Sequence, residues 1–257
     1  GLAPWYYIED GGFTLDITLE NWRRLFETEI YLSLLIKSLT YALLTTLICV
    51  LMAYPLALMI ARSSKRYRDL LLLLVILPFW SNFLVRIYAW MIIFSPKGAL
   101  TAALNVVTSA LGLEPISLMF SSTAVITCLV YVHLPFMILP LYANLEKHDN
   151  RLLDAAQDLG ANRFQCFWLI TWPLSLPGIY AGAVLVFIPS LGIFAIPDLL
   201  GGTNGIMIGN VIKQQFVESR DWPFGSVLSL VLTAITLLLV LLAAKLGRPA
   251  GEDNGKK

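Results

Sequence analysis

The chain has 257 residues, of which 58% are hydrophobic and 14% are charged, and its mean hydropathy is +0.74. A soluble domain has roughly a quarter of its residues charged, so this composition argues against a soluble domain and indicates lipid around most of the chain. The formal net charge of +1 gives no general attraction to nucleic acid, and no nucleic-acid partner is expected. The three cysteines are far apart and form no CxxC pair, which indicates neither a disulfide framework nor a metal site.

The first segment, residues 1–37, contains one candidate helix. The stretch TLENWRRLFETEIYL predicts a helix with Thr18 as its N-cap. Its apolar residues Leu19, Trp22 and Phe26 fall on one helical stripe. A helix that lies along the outer membrane surface and an ordinary soluble connector both fit this pattern.

Five apolar stretches are long enough to cross a bilayer as helices, which takes about 20 residues. None of them shows the short alternating pattern of a barrel strand, and a helix satisfies its own backbone hydrogen bonds, as lipid requires. The sequence therefore predicts an all-α membrane bundle, with one transmembrane domain over residues 1–257. The predicted spans cover about 38–61, 70–94, 121–144, 174–200 and 226–246.

Lys and Arg accumulate in cytoplasmic loops, so their distribution predicts the orientation of the spans. The loops after the first, third and fifth spans, with the chain end, hold the larger set. This set comprises Arg62, Lys65, Arg66, Arg68, Lys147, Arg151, Arg163, Lys245, Arg248, Lys256 and Lys257. The smaller set comprises Arg23, Arg24, Lys37, Lys97, Lys213 and Arg220. The larger set is expected in the cytoplasm, which places residues 1–37 outside and the C-terminus in the cytoplasm.

The loop from about 145 to 173 is expected in the cytoplasm and has the pattern of two short helices. Asp149 or Asn150 is a candidate cap for the first helix, and Gly160 supplies the left-handed residue that ends many helices. Asn162 is a candidate cap for the second helix. Apolar residues recur on one face of each helix, so the loop either binds a cytoplasmic partner or lies flat on the lipid.

Pro173, which is expected to close this two-helix unit, is also the last residue of a spacing that resembles a family motif. The motif is the "EAA" loop of ABC-importer permeases: Glu-Ala-Ala, three residues, Gly, nine residues, Ile and, shortly after it, Leu-Pro. The chain departs from it at Asp154, which replaces Glu, and at Trp172, which replaces Leu. The resemblance implies a coupling helix that sits in a groove of a separate ATPase subunit. The matching positions are Asp154, Ala155, Ala156, Gly160, Ile170 and Pro173.

The resemblance extends over nearly the whole chain, and three further runs look like polyamine-importer permeases, which carry spermidine and putrescine. These runs are LLLLVILPFWSNFLVRIYAW (71–90), VYVHLPFMILPLYANLEK (130–147) and PDLLGGTNGIMIGNVIKQQFVESRDWPFGS (197–226). The resemblance implies a type I ABC-importer permease of six spans, of which the first is missing from this chain. It also implies a bacterial inner-membrane location, a second permease subunit, a dimer of ATPase subunits that use ATP and Mg, and a periplasmic polyamine-binding protein.

Asp198 ends the apolar run FIPSLGIFAIPDLL, near the expected outer boundary of its span. Phe194 precedes it by one helical turn, and a carboxylate beside an aromatic ring can hold an ammonium group by charge and by cation–π attraction. Lys213, in the following outer loop, could pair with Asp198 and keep the path shut until a substrate cation replaces it. An Asp that only caps or lies at the interface beside Pro197 fits the sequence equally well. Aromatic residues that could line the path, or simply pack, are Trp80 and Tyr131.

The sequence lacks the patterns of an enzyme and of a cofactor site. No GxxxxGK[ST] nucleotide cradle occurs, and the glycines of GGTNGIMIGN (201–210) predict a flexible outer loop. His133 and His148 have no metal-ligand spacing, so no metal is expected. We therefore expect a translocation subunit without a cofactor of its own. Its alternatives are the same importer architecture for another small solute, and an ATPase-independent channel or carrier.

Overall fold

The computed structural model describes residues 19–149 and 151–246, with side chains described up to residue 242. Every regular element in these ranges is helical. Three short non-α segments interrupt the helices: a 3-10 turn over Leu77–Trp80 and π turns over Phe167–Thr171 and Pro197–Gly201. The helices are α1 (Glu20–Glu27), α2 (Glu29–Arg62), α3 (Lys65–Ile76), α4 (Phe83–Phe94), α5 (Ala99–Ala110), α6 (Ser122–Leu145), α7 (Arg151–Asp158), α8 (Arg163–Cys166), α9 (Trp172–Gly192), α10 (Gly202–Gly205), α11 (Ile208–Val217) and α12 (Trp222–Leu246).

Five helical stretches are long and apolar enough to cross a membrane. The prediction of an all-α chain with five spans is therefore confirmed for the described residues, although the extents of the spans differ from the predicted ones. The first span begins nine residues before the predicted boundary, because α2 already starts at Glu29. The five stretches are Glu29–Arg62, Phe83–Ala110, Ser122–Leu145, Arg163–Gly192 and Trp222–Leu242.

The second span differs from the predicted stretch 70–94 because the helix is interrupted within that stretch. The 3-10 turn after α3 contains Pro78, which has no N–H to continue a helical ladder. Asn82 then starts α4, since its Oδ1 accepts a hydrogen bond from the backbone N–H of Leu84 at 2.8 Å. The span consequently comprises α4 and α5.

The fourth span is displaced toward the N-terminus relative to the predicted stretch 174–200. Helix α9 ends at Gly192, and at its other end it continues from α8 through a π turn. Pro173, which was expected to close the preceding loop, therefore lies in the first turn of α9, a position that tolerates proline. The N–H of Trp172 donates to the carbonyl oxygen of Phe167, five residues back, so the π turn shifts the hydrogen-bond register just ahead of the proline.

Contacts divide the structure into two compact units. The first unit comprises the described residues up to Thr45 together with Asn82–Leu129 and Ile188–Leu238. The second unit comprises Thr46–Ser81, Val130–Phe187 and the described residues from Leu239 onward. The boundaries fall inside α2, α6, α9 and α12, so each of these helices contributes residues to both units.

The core of the first unit joins α1, α2, α11 and α12. Tyr31 and Phe224 pack edge to face with ring centroids 5.0 Å apart. Arg24 lies over the same Phe224 ring and donates a hydrogen bond to Asp221 Oδ2 at 2.8 Å. These contacts tie α1 to the start of α12. The buried apolar residues of this core are Leu25, Leu35, Ile208, Val211, Phe224, Val227 and Leu228.

Helix α1 packs on the core of the first unit through Leu25, with Trp22 of the predicted stripe beside it. Leu25 and Asn21 are buried, whereas Leu19 and Phe26 are exposed. Thr18, the predicted N-cap, lies outside the described residues.

The second unit is held by close packing of α9 against α6 and α2. An added Cβ at Gly178 would lie 2.7 Å from the Cβ of Asn144, so only glycine allows the observed approach of α9 to α6. Tyr54 of α2 packs on Trp172 with ring centroids 5.3 Å apart, and its hydroxyl accepts a hydrogen bond from Ser175 Oγ at 3.1 Å. These contacts fix the start of α9, immediately after the segment described next.

Candidate functional site

The EAA-like segment, which we define as residues 149–173 in the second unit, begins with α7. Asp149 Oδ1 accepts a hydrogen bond from the backbone N–H of Arg151 at 3.0 Å, which satisfies one of the free N–H groups at the helix start. Asn150, the other candidate cap, lies outside the described residues. Helix α7 carries the first part of the predicted motif, Asp154, Ala155 and Ala156.

Gly160 ends this helix in the left-handed conformation, with φ = +89°. Its N–H donates to the carbonyl oxygen of Gln157 at 2.9 Å, and the N–H of Ala161 donates to that of Ala156 at 3.0 Å. This pair of hydrogen bonds is the Schellman arrangement that closes many helices. An added Cβ at Gly160 would meet no atom within 4 Å, so glycine is required here by backbone conformation and not by space.

Asn162 starts α8 with a capping box. Its Oδ1 accepts the N–H of Gln165 at 2.8 Å, and Gln165 Oε1 accepts the N–H of Asn162 at 2.8 Å. The predicted cap of the second helix is therefore observed. Between the left-handed Gly160 and this box only Ala161 intervenes, so the backbone of the turn is determined by local hydrogen bonds.

Much of the EAA-like segment is exposed. Asp154, Ala155 and Gly160 are exposed, Ala156 is half-buried, and Leu159 is 90% exposed despite its apolar side chain. Other exposed apolar side chains are Leu152, Phe164, Trp168 and Leu169. An exposed apolar surface of this kind marks a contact with a partner or with lipid.

A cavity of about 890 Å³ lies beside the EAA-like segment. The motif residues Asp154 and Ile170 both line it, so the structure brings these two parts of the motif together. Pro173 is exposed in the first turn of α9. The charged residues around the cavity are Arg62, Glu146, Asp149, Asp154 and Arg163.

Two side-chain contacts join the residues just before the EAA-like segment to neighbouring helices. Arg68 of α3 pairs with Glu146 at 2.6 Å, just after α6 ends. His148 Nε2 lies 3.1 Å from the carbonyl oxygen of Leu174, in the first turn of α9.

In the first unit, the structure brings Lys213 to Asp198 and Phe194, the two residues predicted to hold a cation. Asp198 lies in the π turn after α9, and Lys213 lies on α11. Lys213 Nζ is 2.6 Å from Asp198 Oδ2 and 5.4 Å from the centroid of the Phe194 ring. The predicted pairing of Lys213 with Asp198 is therefore observed, and the ammonium also faces the aromatic ring.

The charged pair is accessible, since the side chains of Asp198 and Lys213 are 33% and 34% exposed. The hydrogen bond from Lys213 to Asp198, and next the charge of that carboxylate, raise the pKa of Lys213. The ammonium therefore stays protonated at neutral pH. A carboxylate and a ring that hold one alkylammonium group have the chemistry to hold another in its place.

Asn210, which the sequence did not single out, completes this cation cluster of Phe194, Asp198, Asn210 and Lys213. Its Nδ2 donates hydrogen bonds to Asp198 Oδ1 and to the carbonyl oxygen of Phe194, the latter at 3.0 Å. Its Oδ1 accepts the N–H of Met207 at 3.0 Å. The available signal was its spacing, because Asn210 precedes Lys213 by one helical turn in an otherwise apolar stretch.

The stretch 201–210 is helical over much of its length, which corrects the prediction of a flexible loop. It contains α10 and the start of α11. The backbone N–H of Ile208 donates to Ser38 Oγ at 2.8 Å, which ties the start of α11 to α2. An added Cβ at Gly209 would lie 2.8 Å from the carbonyl oxygen of Gly192, so this glycine permits the close approach of α11 to the end of α9.

Trp80 and Tyr131, the remaining predicted path residues, belong to the second unit. Trp80 is exposed in the 3-10 turn before α4, and Tyr131 is half-buried in α6. Among the described residues, no group of three or more His, Cys, Asp or Glu side chains could hold a metal ion.

Residues 53–246, about three quarters of the chain, match the family of binding-protein-dependent transport system inner membrane components. The chain therefore belongs to this family of multi-pass membrane transport subunits.

Individual relatives show which kinds of transport subunit the chain is similar to. The chain is 46% identical over 241 residues to the spermidine/putrescine transport system permease protein PotB of Haemophilus influenzae, covering 93% of this chain and 83% of that protein. It is also 46% identical over 236 residues to the Escherichia coli K12 protein of the same description, covering 91% and 84%. A more distant relative, the inner membrane ABC transporter permease protein YdcU of Escherichia coli K12, is 32% identical and is covered over 77% of its length.

The fold is also that of a solved ABC transporter. A chain of the bacterial alginate ABC transporter, crystallised with an alginate pentasaccharide-bound periplasmic protein, superposes with a TM-score of 0.74 at 22% identity. The match covers 90% of this chain and 83% of that chain. At this identity the likeness shows a shared helical architecture and not a shared cargo.

Proposed function

We propose that this chain is one permease subunit of an ATP-driven ABC importer that moves polyamines, such as spermidine and putrescine, into the bacterial cytoplasm. The observation that carries this assignment is that the carboxylate of Asp198 and the ring of Phe194 hold an ammonium group, that of Lys213. Polyamines are flexible chains of ammonium groups, so they have the chemistry that this arrangement accommodates. The 46% identity to two spermidine/putrescine permeases supports the same cargo.

In this proposal Lys213 occupies the site while the path is closed. A polyamine ammonium that enters from the outer side competes for the same carboxylate oxygen and the same ring. Because the pair is accessible, the exchange requires no deep burial of either charge. Trp80 and Tyr131 are further candidates for contacts along the path.

The EAA-like segment is the proposed contact with the ATPase. Its turn is determined by local hydrogen bonds, and Leu159 presents an apolar side chain that a groove on a partner would cover. The coupling residues are Asp154, Ala155, Ala156, Gly160, Ile170 and Pro173. ATP and Mg would act in a dimer of partner ATPase subunits, and a second permease and a periplasmic polyamine-binding protein would complete the importer.

The proposed cycle is alternating access. Loaded binding protein docks outside, ATP closes the ATPase dimer, and the shift of the EAA-like segment is passed to α3, α6 and α9 through the contacts of Glu146 and His148. The C-terminus lies in the cytoplasm in this orientation, which follows from the distribution of Lys and Arg.

The first test is uptake of labelled spermidine and putrescine by vesicles that contain the whole complex, with binding protein outside and ATP inside. Gly160→Pro should abolish uptake in an assembled complex, because proline cannot adopt the left-handed backbone of that position. Gly112→Pro is the matched control, since Gly112 is also left-handed, at φ = +69°, but lies outside the EAA-like segment.

Two outcomes would contradict the proposal in different ways. Uptake that continues without ATP would contradict the ATP-driven importer and would indicate an ATPase-independent carrier. If neither polyamine is taken up while another solute stimulates ATP hydrolysis, the importer stands and the cargo assignment is wrong.

A further inference from the structure

We infer that Asn210 is a positioning residue for the cation cluster: it commits one oxygen of the Asp198 carboxylate to the protein and directs the other oxygen at the entering ammonium group. This inference deepens the proposed function and rests on it, in that the entering ammonium belongs to a polyamine. It concerns a residue that contacts the cation only through Asp198.

The two oxygens of Asp198 have different partners. Oδ1 accepts a hydrogen bond from Asn210 Nδ2, and Oδ2 accepts one from Lys213 Nζ at 2.6 Å. Asn210 is 8% exposed, whereas Lys213 is 34% exposed. One oxygen is therefore turned toward the buried amide and the other toward the accessible side, where a soluble cation arrives.

Three hydrogen bonds hold the side chain of Asn210 in place. Besides Asp198, it donates to the carbonyl oxygen of Phe194 and accepts from the N–H of Met207, both at 3.0 Å. Both amide hydrogens and the amide oxygen are thus used, which leaves the side chain one orientation. Because Phe194 is also the ring that faces the ammonium, one buried amide positions the backbone of the aromatic residue and the carboxylate together.

The surrounding backbone explains why this amide reaches both partners. Gly209 allows α11 to approach the carbonyl oxygens of Gly192 and Ile193, where an added Cβ would lie 2.8 and 2.9 Å away. The next residue is Asn210, which therefore enters the turn between the end of α9 and Asp198. A hydrogen bond to an ionised carboxylate in such a site is stronger than one between neutral groups and fixes its direction.

The test compares Asn210→Leu with wild type in the assembled complex. The apparent KM for putrescine uptake should rise about tenfold with little change at saturating putrescine, because the carboxylate loses its orienting partner but keeps its charge. Gln215→Leu is the matched control, since it removes another amide that is 8% exposed from the same helix and should leave the KM unchanged.

A second readout does not depend on transport. The rate at which an N-hydroxysuccinimide ester acylates Lys213 is measured by peptide mass spectrometry, with the exposed Lys65 as internal reference. Lys213 should react faster in Asn210→Leu, because a carboxylate that can rotate protects the ammonium less. The exchange variant Asp198→Asn with Asn210→Asp keeps a donor and an acceptor between positions 198 and 210, although it loses the hydrogen bond to the carbonyl oxygen of Phe194. It should keep the raised KM because the charge has moved to the buried side.

The inference is wrong if Asn210→Leu matches wild type in both KM and acylation rate, if Gln215→Leu raises the KM as much, or if the exchange variant restores the wild-type KM. A wild-type complex that took up neither polyamine would overturn the proposed function, while the acylation rate of Lys213 would still decide the role of Asn210.

Discussion

The EAA-like segment and the cation cluster are built by opposite means. In the EAA-like segment, the hydrogen bonds that shape the turn join residues three to five positions apart, as in the bonds at Gly160 and the box at Asn162. In the cation cluster, the hydrogen bonds to Asp198 and to the carbonyl oxygen of Phe194 join residues 12 to 16 positions apart and run through side chains. The first is shaped by its own local hydrogen bonds, and the second consists of contacts that, in the proposed function, a polyamine ammonium exchanges.

Both regions nevertheless place a π turn next to a proline. Phe167–Thr171 precedes Pro173, and Pro197–Gly201 begins with a proline and contains Asp198. Such turns are rare in proteins as a whole but are common at functional sites, because they shift the hydrogen-bond register of a helix locally. In the EAA-like segment the π turn lets the helix continue into α9, whereas in the cation cluster it turns a carboxylate toward α11.

Gly209→Ala is expected to have the largest effect, because it should disrupt the cation cluster. The new Cβ would lie 2.8 Å from the carbonyl oxygen of Gly192, and neither backbone can move without separating α9 from α11. Overpacking of this kind typically costs about 1–3 kcal/mol, and polyamine uptake should be lost. The thermal midpoint of the purified complex and vesicle uptake would measure it. Gly192→Ala, which meets no atom within 4 Å, should behave like wild type; equal losses in both variants would contradict the steric explanation.

The difference in construction also explains what could be predicted. The caps at Asp149 and Asn162 and the left-handed Gly160 were predictable, because each depends on residues within one or two turns. The pairing of Lys213 with Asp198 was predictable from charge and chain position. The role of Asn210 was not predictable, since its spacing alone does not show that it meets Phe194 and Asp198, which follow the end of α9.

The same limit applies to the spans. Their number followed from long apolar runs, but the break inside 70–94 did not, although Pro78 and Asn82 were visible. A continuous apolar run predicts one long helix, and here a proline and a capping amide only four positions apart prevail over it. Local signals inside an apolar stretch therefore deserve more weight than its overall hydropathy.

Asp198→Asn should raise the apparent KM for spermidine and putrescine by about 10- to 100-fold, the range expected when a hydrogen bond to an ionised group is lost. The amide keeps the shape of the carboxylate but not its charge. Vesicle uptake over a range of polyamine concentrations would measure the effect. Asp221→Asn is the control, because Asp221 pairs with Arg24 in the same unit but outside the cation cluster. An unchanged KM in Asp198→Asn would remove this carboxylate from the path.

Gly160→Ala should have a smaller effect, and on coupling instead of affinity. Alanine in the left-handed conformation costs about 1–2 kcal/mol, which loosens the end of α7 without blocking it. More ATP should be hydrolysed per polyamine transported, while the KM stays unchanged. Gly112→Ala carries the same conformational cost at a position outside the EAA-like segment. A raised KM in Gly160→Ala would show that the two regions are not functionally separable in this way.

The smallest effect concerns the protonation of Lys213. Its pKa is raised by the hydrogen bond from Lys213 to Asp198 and then by the charge of that carboxylate, so folding favours the protonated form. The stabilisation by this pair is therefore fully present below the pKa of an unperturbed lysine, about 10.4, and is lost only as the pH rises through the raised value. Between pH 6 and 8 Lys213 should stay protonated, and polyamines should displace it from Asp198 by competition. The pH dependence of Lys213 acylation, measured by peptide mass spectrometry, should have a lower midpoint in Asp198→Asn than in wild type. Identical midpoints would mean that the carboxylate does not hold the ammonium, and the contrast between an exchangeable cluster and a preformed segment would lose its basis.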